Sequence, residues 1–221
     1  KDGFNTVANS RNVMWGIDVD AHNSFGVNSF WSYVDIFSNG YAFRNDYLGI
    51  DQELYQGIGH TYLVGNDVRK GWWNSEGSKK YPFAAYSKFF DKEREFGGDN
   101  SWLNDIIFMR FEEPLLIIAE AAKTLGKDSN LAKETIKILA NERVDGKIDF
   151  IDTMSDEDLE KYIADNWRIE FWLEGKSLAA IKRLNWTKVR GDNHSFLKGV
   201  SFNGTAQHLI FEVPDNATYM R

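Results

Sequence analysis

Paired carboxylates are the first candidates for chemistry, because cleavage of a glycosidic bond uses two of them, one as acid and one as base or nucleophile. Asp18 with Asp20, Asp46 with Asp51, and Glu112 with Glu113 are the available pairs. With 33 Asp and Glu in 221 residues, such pairs arise from composition alone. Glu112 and Glu113 are explained more simply by a helix N-terminus, where carboxylates meet the positive end of the dipole. The histidines His22, His60, His194 and His208 share no zinc-ligand spacing and fall on loop-like sequence. Asp18 to Asn23 (DVDAHN) offers oxygen ligands but lacks the sixth-position Gly and closing Glu of an EF-hand loop, so an incidental calcium ion stands beside plain solvated polarity. Ser195 follows His194 without a G-x-S-x-G elbow, and Gly57-Ile58-Gly59 is a fragment of a nucleotide fingerprint without its strand and helix. Cysteine is absent, which removes disulfides, zinc-thiolate sites and thiol nucleophiles. No catalytic residue, metal or cofactor is expected.

The net charge of −7 argues against a nucleic-acid partner, which calls for a basic patch. Aromatic residues make up 15% of the chain, and eight of them are Trp. Trp15, Phe25, Phe30, Trp31, Tyr33, Phe37, Tyr41, Phe43, Tyr47 and Tyr55 lie between residues 13 and 70 without helical period, interleaved with Asn and Asp. Rings that stack and amides that bond hydroxyls are what a carbohydrate site needs. A core packed beneath long loops has the same sequence pattern, and both readings stay open.

The elements that must position these side chains are clearest from Met109 to Trp186, which reads as helix, turn, helix, loop, helix. In the first helix Leu115, Ile118, Ala119, Ala122 and Leu125 form an apolar stripe, with Pro114 near its start and Gly126 as C-cap. The second, about Ser129 to Val144, turns Leu131, Thr135, Ile136, Leu139 and Ala140 inward and ends before Asp145-Gly146. The third begins at Ser155 with three acids in its first turn, carries Leu159, Tyr162, Ile163, Ile169, Phe171, Trp172 and Leu173, and breaks at Gly175. The hairpin is about one tetratricopeptide unit (~34 residues) and needs neighbours to bury both faces. Arg168, Glu170 and Glu174 lie on this helix, Glu170 and Glu174 sharing a face at four-residue spacing, which reads as a structural ion network with Arg110 or Arg183. Elsewhere VMWGID, KKYPFAAYSKFFD and LIFEVP read as strands and DQELYQGIG as a short helix; were Trp72 and Trp73 in a strand, one would point in and one out.

The expected fold class is mainly α with loop-rich regions: a tetratricopeptide-like helical hairpin plus a long helix, with few short strands. Residues 1–108 form a loop-rich, aromatic-rich region, 109–186 the helical region and 187–221 a closing loop and strand, all within one domain. No apolar run reaches the 18 or so residues of a membrane helix. Without an initial Met or a signal peptide, the chain reads as a mature or engineered piece.

These same stretches carry a resemblance. MRFEEPLLIIAEAAKTLG resembles the R-Y-A-E-x-L-L-x-x-A-E-A-x-x-x-x-G helix of the SusD/RagB family. WRIEFWLEGKSLAAIKRLNW is similar to its E-R-R-x-E-L-x-x-E-G-x-R-x-x-D-L-x-R-W segment, matching at Arg168, Glu170, Glu174, Gly175, Arg183 and Trp186 and departing at Trp167, Lys176-Ser177 and Ala180. FEVPDNAT resembles the closing P-I-P-x-x-E strand through Pro214, and GNDVRKGWW the D-P-R element, with Val68 for Pro. The resemblance implies the C-terminal portion of a cell-surface glycan-binding lipoprotein of the outer membrane, its N-terminal half and lipid anchor missing here. It implies a binding protein, not an enzyme, that captures oligosaccharides for a TonB-dependent (SusC-like) transporter. On that reading Trp31, Tyr41, Trp72 and Trp73 are the stacking candidates, and Asn39 and Arg44 the hydrogen-bonding ones. Two other classes remain open: a glycoside hydrolase using a loop carboxylate pair, and a helical-repeat adaptor whose partner is protein.

Overall fold

The computed structural model describes residues 4–7, 11–60, 63–90, 94–97 and 102–210, the side chains of Leu63, Val64 and His208 excepted. In chain order the elements are β1 (Val13–Ile17), α1 (Gln52–Gly57), β2 (Ile58–Gly59), β3 (Leu63–Val64), β4 (Asn66–Asp67), β5 (Ile106–Arg110), α2 (Glu112–Thr124), α3 (Ser129–Arg143), β6 (Val144–Asp145), α4 (Asp156–Glu170), α5 (Ser177–Arg183), β7 (Lys188–Val189) and β8 (Ser201–Phe202). The strands form two-stranded ribbons: β1 with β5, β4 with β6 and β7 with β8 are antiparallel, and β2 with β3 is parallel. The fold is helical with few short strands, as expected.

Local signals account for the helix ends. Asp51, Asp128 and Ser155 each accept a hydrogen bond from the backbone N–H three residues on, capping α1, α3 and α4. Lys127 turns the chain between α2 and α3 in the left-handed region, at φ 51°. Leu173 at φ 60° and Gly175 at φ 77° break the chain after α4, and α5 then starts afresh.

Three expectations are corrected. Met109 and Arg110 end β5 instead of opening a helix, since their backbone pairs with β1. Ile118, Leu125 and Leu131 are exposed; α2 packs through Leu115, Leu116, Ala119 and Ala122, which leaves Phe111, Ile117, Ile118 and Leu125 as a second, outward apolar face. KKYPFAAYSKFFD is a series of turns over its described residues, because Tyr81 and Phe83 are left-handed (φ 59° and 63°) on either side of Pro82, which has no N–H to pair. LIFEVP lies mostly outside the described residues.

One hydrophobic core joins the loops to the helices. Trp31, Leu54, Trp72, Trp73, Phe83, Phe89, Phe90 and Trp102 pack with Leu116, Ile136, Leu139, Leu159, Ile163, Trp167 and Phe171. Inside it, among the described residues, lies a connected ion network of four cations and four carboxylates. Arg69 binds Asp67 at 2.7 Å and Glu170 at 2.8 Å, and donates to Asn166 Oδ1 at 2.9 Å. Arg110 binds Glu170 at 2.5 Å and Glu174 at 2.8 Å, and donates to the Glu170 carbonyl at 2.7 Å. Arg143 spans Glu112 and Glu170 at 2.8 and 2.9 Å. Lys88 reaches Glu174 and the Trp172 carbonyl, both at 2.6 Å. The structural network expected around Glu170 and Glu174 thus forms with Arg110, whereas Arg183 pairs with Glu120 and Arg168 with Asp165. Rings wall it in: the Arg110 guanidinium sits 4.3 Å from the Phe4 centroid and 4.4 Å from that of Phe171.

Removing one member leaves others uncompensated in a dry interior. Glu170→Gln should cost on the order of 3–5 kcal/mol in urea unfolding at neutral pH. Glu120→Gln, which frees the half-exposed Arg183, should cost about 1 kcal/mol or less. Acid titrates the same network. Burial alone would raise both glutamates, but Arg110, Arg143 and Arg69 hold Glu170 well below the ordinary 4.5, and Arg110 with Lys88 lowers Glu174. Their contribution is complete above the ordinary carboxylate value and disappears as pH falls through the lowered native values. Thermal midpoints should therefore drop below about pH 4.5, with a shallower acid slope in Glu170→Gln.

Candidate functional site

Of the six candidates, three stand on one surface and three do not. Trp31 is 4% exposed, Trp72 9% and Trp73 3%, so none offers a face to a ligand. Trp31 lies among Phe30, Phe89 and Phe90 and donates its indole N–H to the Asn104 carbonyl at 2.7 Å. Trp72 ends a 3-10 turn, Val68–Trp72, and meets Phe4 edge-on, while Trp73 meets Trp172 in the same way. Neighbours in sequence, both face inward, because Trp72 ends a 3-10 turn and only Trp73 is extended, so the in-and-out alternation of a strand does not apply. Trp31 and Trp73 are held by aromatic packing, and Trp72 lies against the charges of Lys88 and Arg143, 5.5 and 5.6 Å from its ring. Covering a buried ion network requires large apolar surfaces, and indoles supply the largest.

Asn39, Tyr41 and Arg44 are exposed on the loop that follows the 3-10 turn Phe30–Tyr33. Tyr41 stacks on Tyr33, with ring centroids 4.5 Å apart and planes within 11°. Both phenols keep more than a third of their surface open, 39% for Tyr33 and 36% for Tyr41. The pair is held by its backbone. Leu48 N–H donates to the Tyr33 carbonyl at 3.1 Å, and the Tyr41 carbonyl accepts from Arg44 at 2.9 Å and Asp46 at 3.1 Å. Gly40 permits the return of the loop, since a Cβ there would lie 2.8 Å from the Ser32 carbonyl oxygen. Asp35 closes the turn between the two tyrosines: its carboxylate accepts from Phe37 N–H and Arg94 Nε, both at 3.0 Å, and from the Ser38 hydroxyl.

Tyr33 stood among the loop aromatics without being singled out. The available signal was its residue type, since a phenol in a loop keeps its hydroxyl in water while its ring offers a face. A second open pair, Trp15 with Phe108 at 4.9 Å, spans β1 and β5, but Met14 and Ile17 around it give an apolar contact area with few hydrogen-bonding groups. The carboxylate pairs are engaged locally. Asp20 accepts from His22 and Asn23 N–H at 2.8 and 3.1 Å, Asp51 caps α1, and Glu112 belongs to the ion network.

The two sets of rings should separate in a stability measurement. Trp73→Ala empties part of the core and should cost about 3–5 kcal/mol in urea unfolding. Tyr41→Ala should cost about 1 kcal/mol or less.

Comparison with known proteins places this geometry. The SusD family model (SusD_RagB) matches residues 31–218. A SusD-like carbohydrate binding protein from Bacteroides vulgatus superimposes with a TM-score of 0.68 at 24% identity, over 99% of this chain and 49% of that one. A SusD superfamily protein from Bacteroides thetaiotaomicron gives 0.68 at 17% identity, over 95% of this chain and 47% of that one. The chain therefore spans about half the length of the solved structures it resembles. Curated protein sequences gave no match. The matched region takes in the Asp67–Arg69 element, α2, α4 and the turn at Gly175, and over these residues the chain belongs to the SusD family.

Proposed function

We propose that this chain is part of a cell-surface protein that binds glycans without cleaving them. The observation that carries this reading is the open, stacked Tyr33–Tyr41 pair, held by its own loop and flanked in sequence by the exposed Asn39 and Arg44. A sugar ring lays its C–H face on such a surface while its hydroxyls bond amide and guanidinium groups. Family membership supports the reading, as does the carbohydrate-binding description of the B. vulgatus relative. In the whole protein the glycan is captured at the outer membrane, where a lipid anchor holds the binding protein against a TonB-dependent, SusC-like transporter.

Calorimetric titration against neutral plant, host and microbial oligosaccharides tests this. One glycan class should bind, Tyr41→Ala should weaken it about tenfold (~1.4 kcal/mol), and no new reducing ends should appear. Binding unchanged by Tyr41→Ala would remove the platform from the reading. Reducing ends released by the chain would make it a hydrolase.

A further inference from the structure

An open cavity of about 400 Å³, sharing no lining residue with the tyrosine loop, is bordered by α1, α4 and β7. Its charged lining carries both signs: Glu53, Glu157, Glu160 and Asp165 beside Lys161, Arg168 and Lys188. Residues 161, 165 and 168 recur at four and three along α4, on a stripe beside the one that packs into the core through Leu159, Ile163 and Trp167. Trp186, half-buried, contributes an indole, with the Lys188 ammonium 5.0 Å from its ring centroid.

The walls are fixed before any ligand arrives. β7 pairs with β8, and the loop after it is fastened to the N-terminus of α1. Asp51 accepts from Gly191 N–H at 2.9 Å and contacts His194 Nε2 at 3.1 Å, while Asn193 donates to the Ile50 carbonyl at 2.8 Å. At Gly191 a Cβ would lie 2.5 Å from the Asp51 carboxylate, so this fastening needs glycine.

Asp165 is the feature the fold itself does not use. It is 3% exposed, its Oδ2 has no hydrogen-bond partner among the described residues, and Arg168 stands 3.8 Å from Oδ1, beyond hydrogen-bond length. A buried carboxylate oxygen without a donor is a costly arrangement that a ligand's O–H can relieve. Burial pushes Asp165 up to about 6 against the pull of Arg168, and draws Lys188 down to about 8.

We propose that this cavity is a second saccharide subsite that takes a neutral, hydroxyl-rich ring, with Asp165 accepting from a hydroxyl, Arg168 and Lys188 donating to others, and Trp186 lining the ring's apolar edge. A net-charged ligand of either sign meets like charges as well as opposite ones here, four acids and three bases, whereas a hydroxyl both donates and accepts and so suits a lining of both signs. The volume is near the lower end for ligand sites, roughly 300–1,000 Å³. The proposal rests on the glycan-binding reading and adds a place where the same glycan, or a second one, is held.

Two-dimensional 15N NMR of the chain during titration with maltotriose, cellotriose, xylotriose and mannotriose separates the two ideas. The Trp186 indole N–H, assigned through Trp186→Phe, should shift with at least one of them. The shift should persist in Tyr41→Ala, and Asp165→Asn should weaken it at least tenfold with a thermal midpoint unchanged or higher. A lower midpoint in Asp165→Asn with unaltered saccharide affinity makes the carboxylate structural and overturns the proposal. Shifts at the Tyr33–Tyr41 loop with none at Trp186 overturn the subsite and leave glycan binding standing. No shift at either place across the panel overturns both.

Discussion

Eight charged side chains held in one connected group, most of them out of reach of water, set the terms for the rest of this molecule. A buried ion gains from its partners only when geometry and hydrogen bonds are complete, and a single missing member costs more than the pair contributes. The group is neutral, four against four, and its members come from many elements. Asp67 and Arg69 arrive from β4 and the turn after it, Lys88 from a loop, Arg110 from β5, Glu112 from the start of α2 and Arg143 from the end of α3. All converge on the last turn of α4 and the turn beyond, where Glu170 and Glu174 stand. Each element is thereby placed relative to one helix end.

That constraint divides the aromatic residues. Keeping water from the ions takes large rings, and Trp72, Phe4, Phe89 and Phe171 lie over the cations themselves. Exclusion of water also strengthens the ionic contacts, so the rings and charges support one another. The phenols of the 33–41 loop lie outside this arrangement and remain open. Position relative to the network, and not ring type alone, separates buried rings from open ones.

What could be read from the sequence follows the range of the forces involved. The cap at Ser155, the break at Gly175 and, Leu131 apart, the stripes of α3 and α4 are local, and they stand where periodicity and capping put them; the caps at Asp51 and Asp128 are equally local. Failures came where a distant partner decides. Ile106 to Arg110 is an apolar run that continues smoothly into a helix on paper, and only its pairing with Val13 to Ile17 makes it a strand. The burial of Trp31, Trp72 and Trp73 depends on contacts with Asn104, Phe4 and Trp172, which adjacent residues do not announce. Tyr41, Asn39 and Arg44 were legible as exposed loop residues, but the stacking partner Tyr33, eight residues back, was not. The cavity beside α4 was invisible for the same reason, since Glu53 meets Asp165 and Lys188 only in three dimensions.

The network also orders events in time. Arg69 meets Glu170 across 101 residues, Lys88 meets Glu174 across 86 and Arg110 meets Glu170 across 60. Closing such distances costs chain entropy before any contact repays it, and contacts of this range slow folding. The α2–α3 hairpin needs only its own loop and can form early, whereas the interior that it caps cannot close until α4 is present. During synthesis, Arg69 and Arg110 emerge close to Asp67 and Glu112, but Lys88 and the remaining bonds of both arginines wait for Glu170 and Glu174. Until Glu174 has left the ribosome, the first half of this chain holds a cluster of cations that has every reason to stay in water.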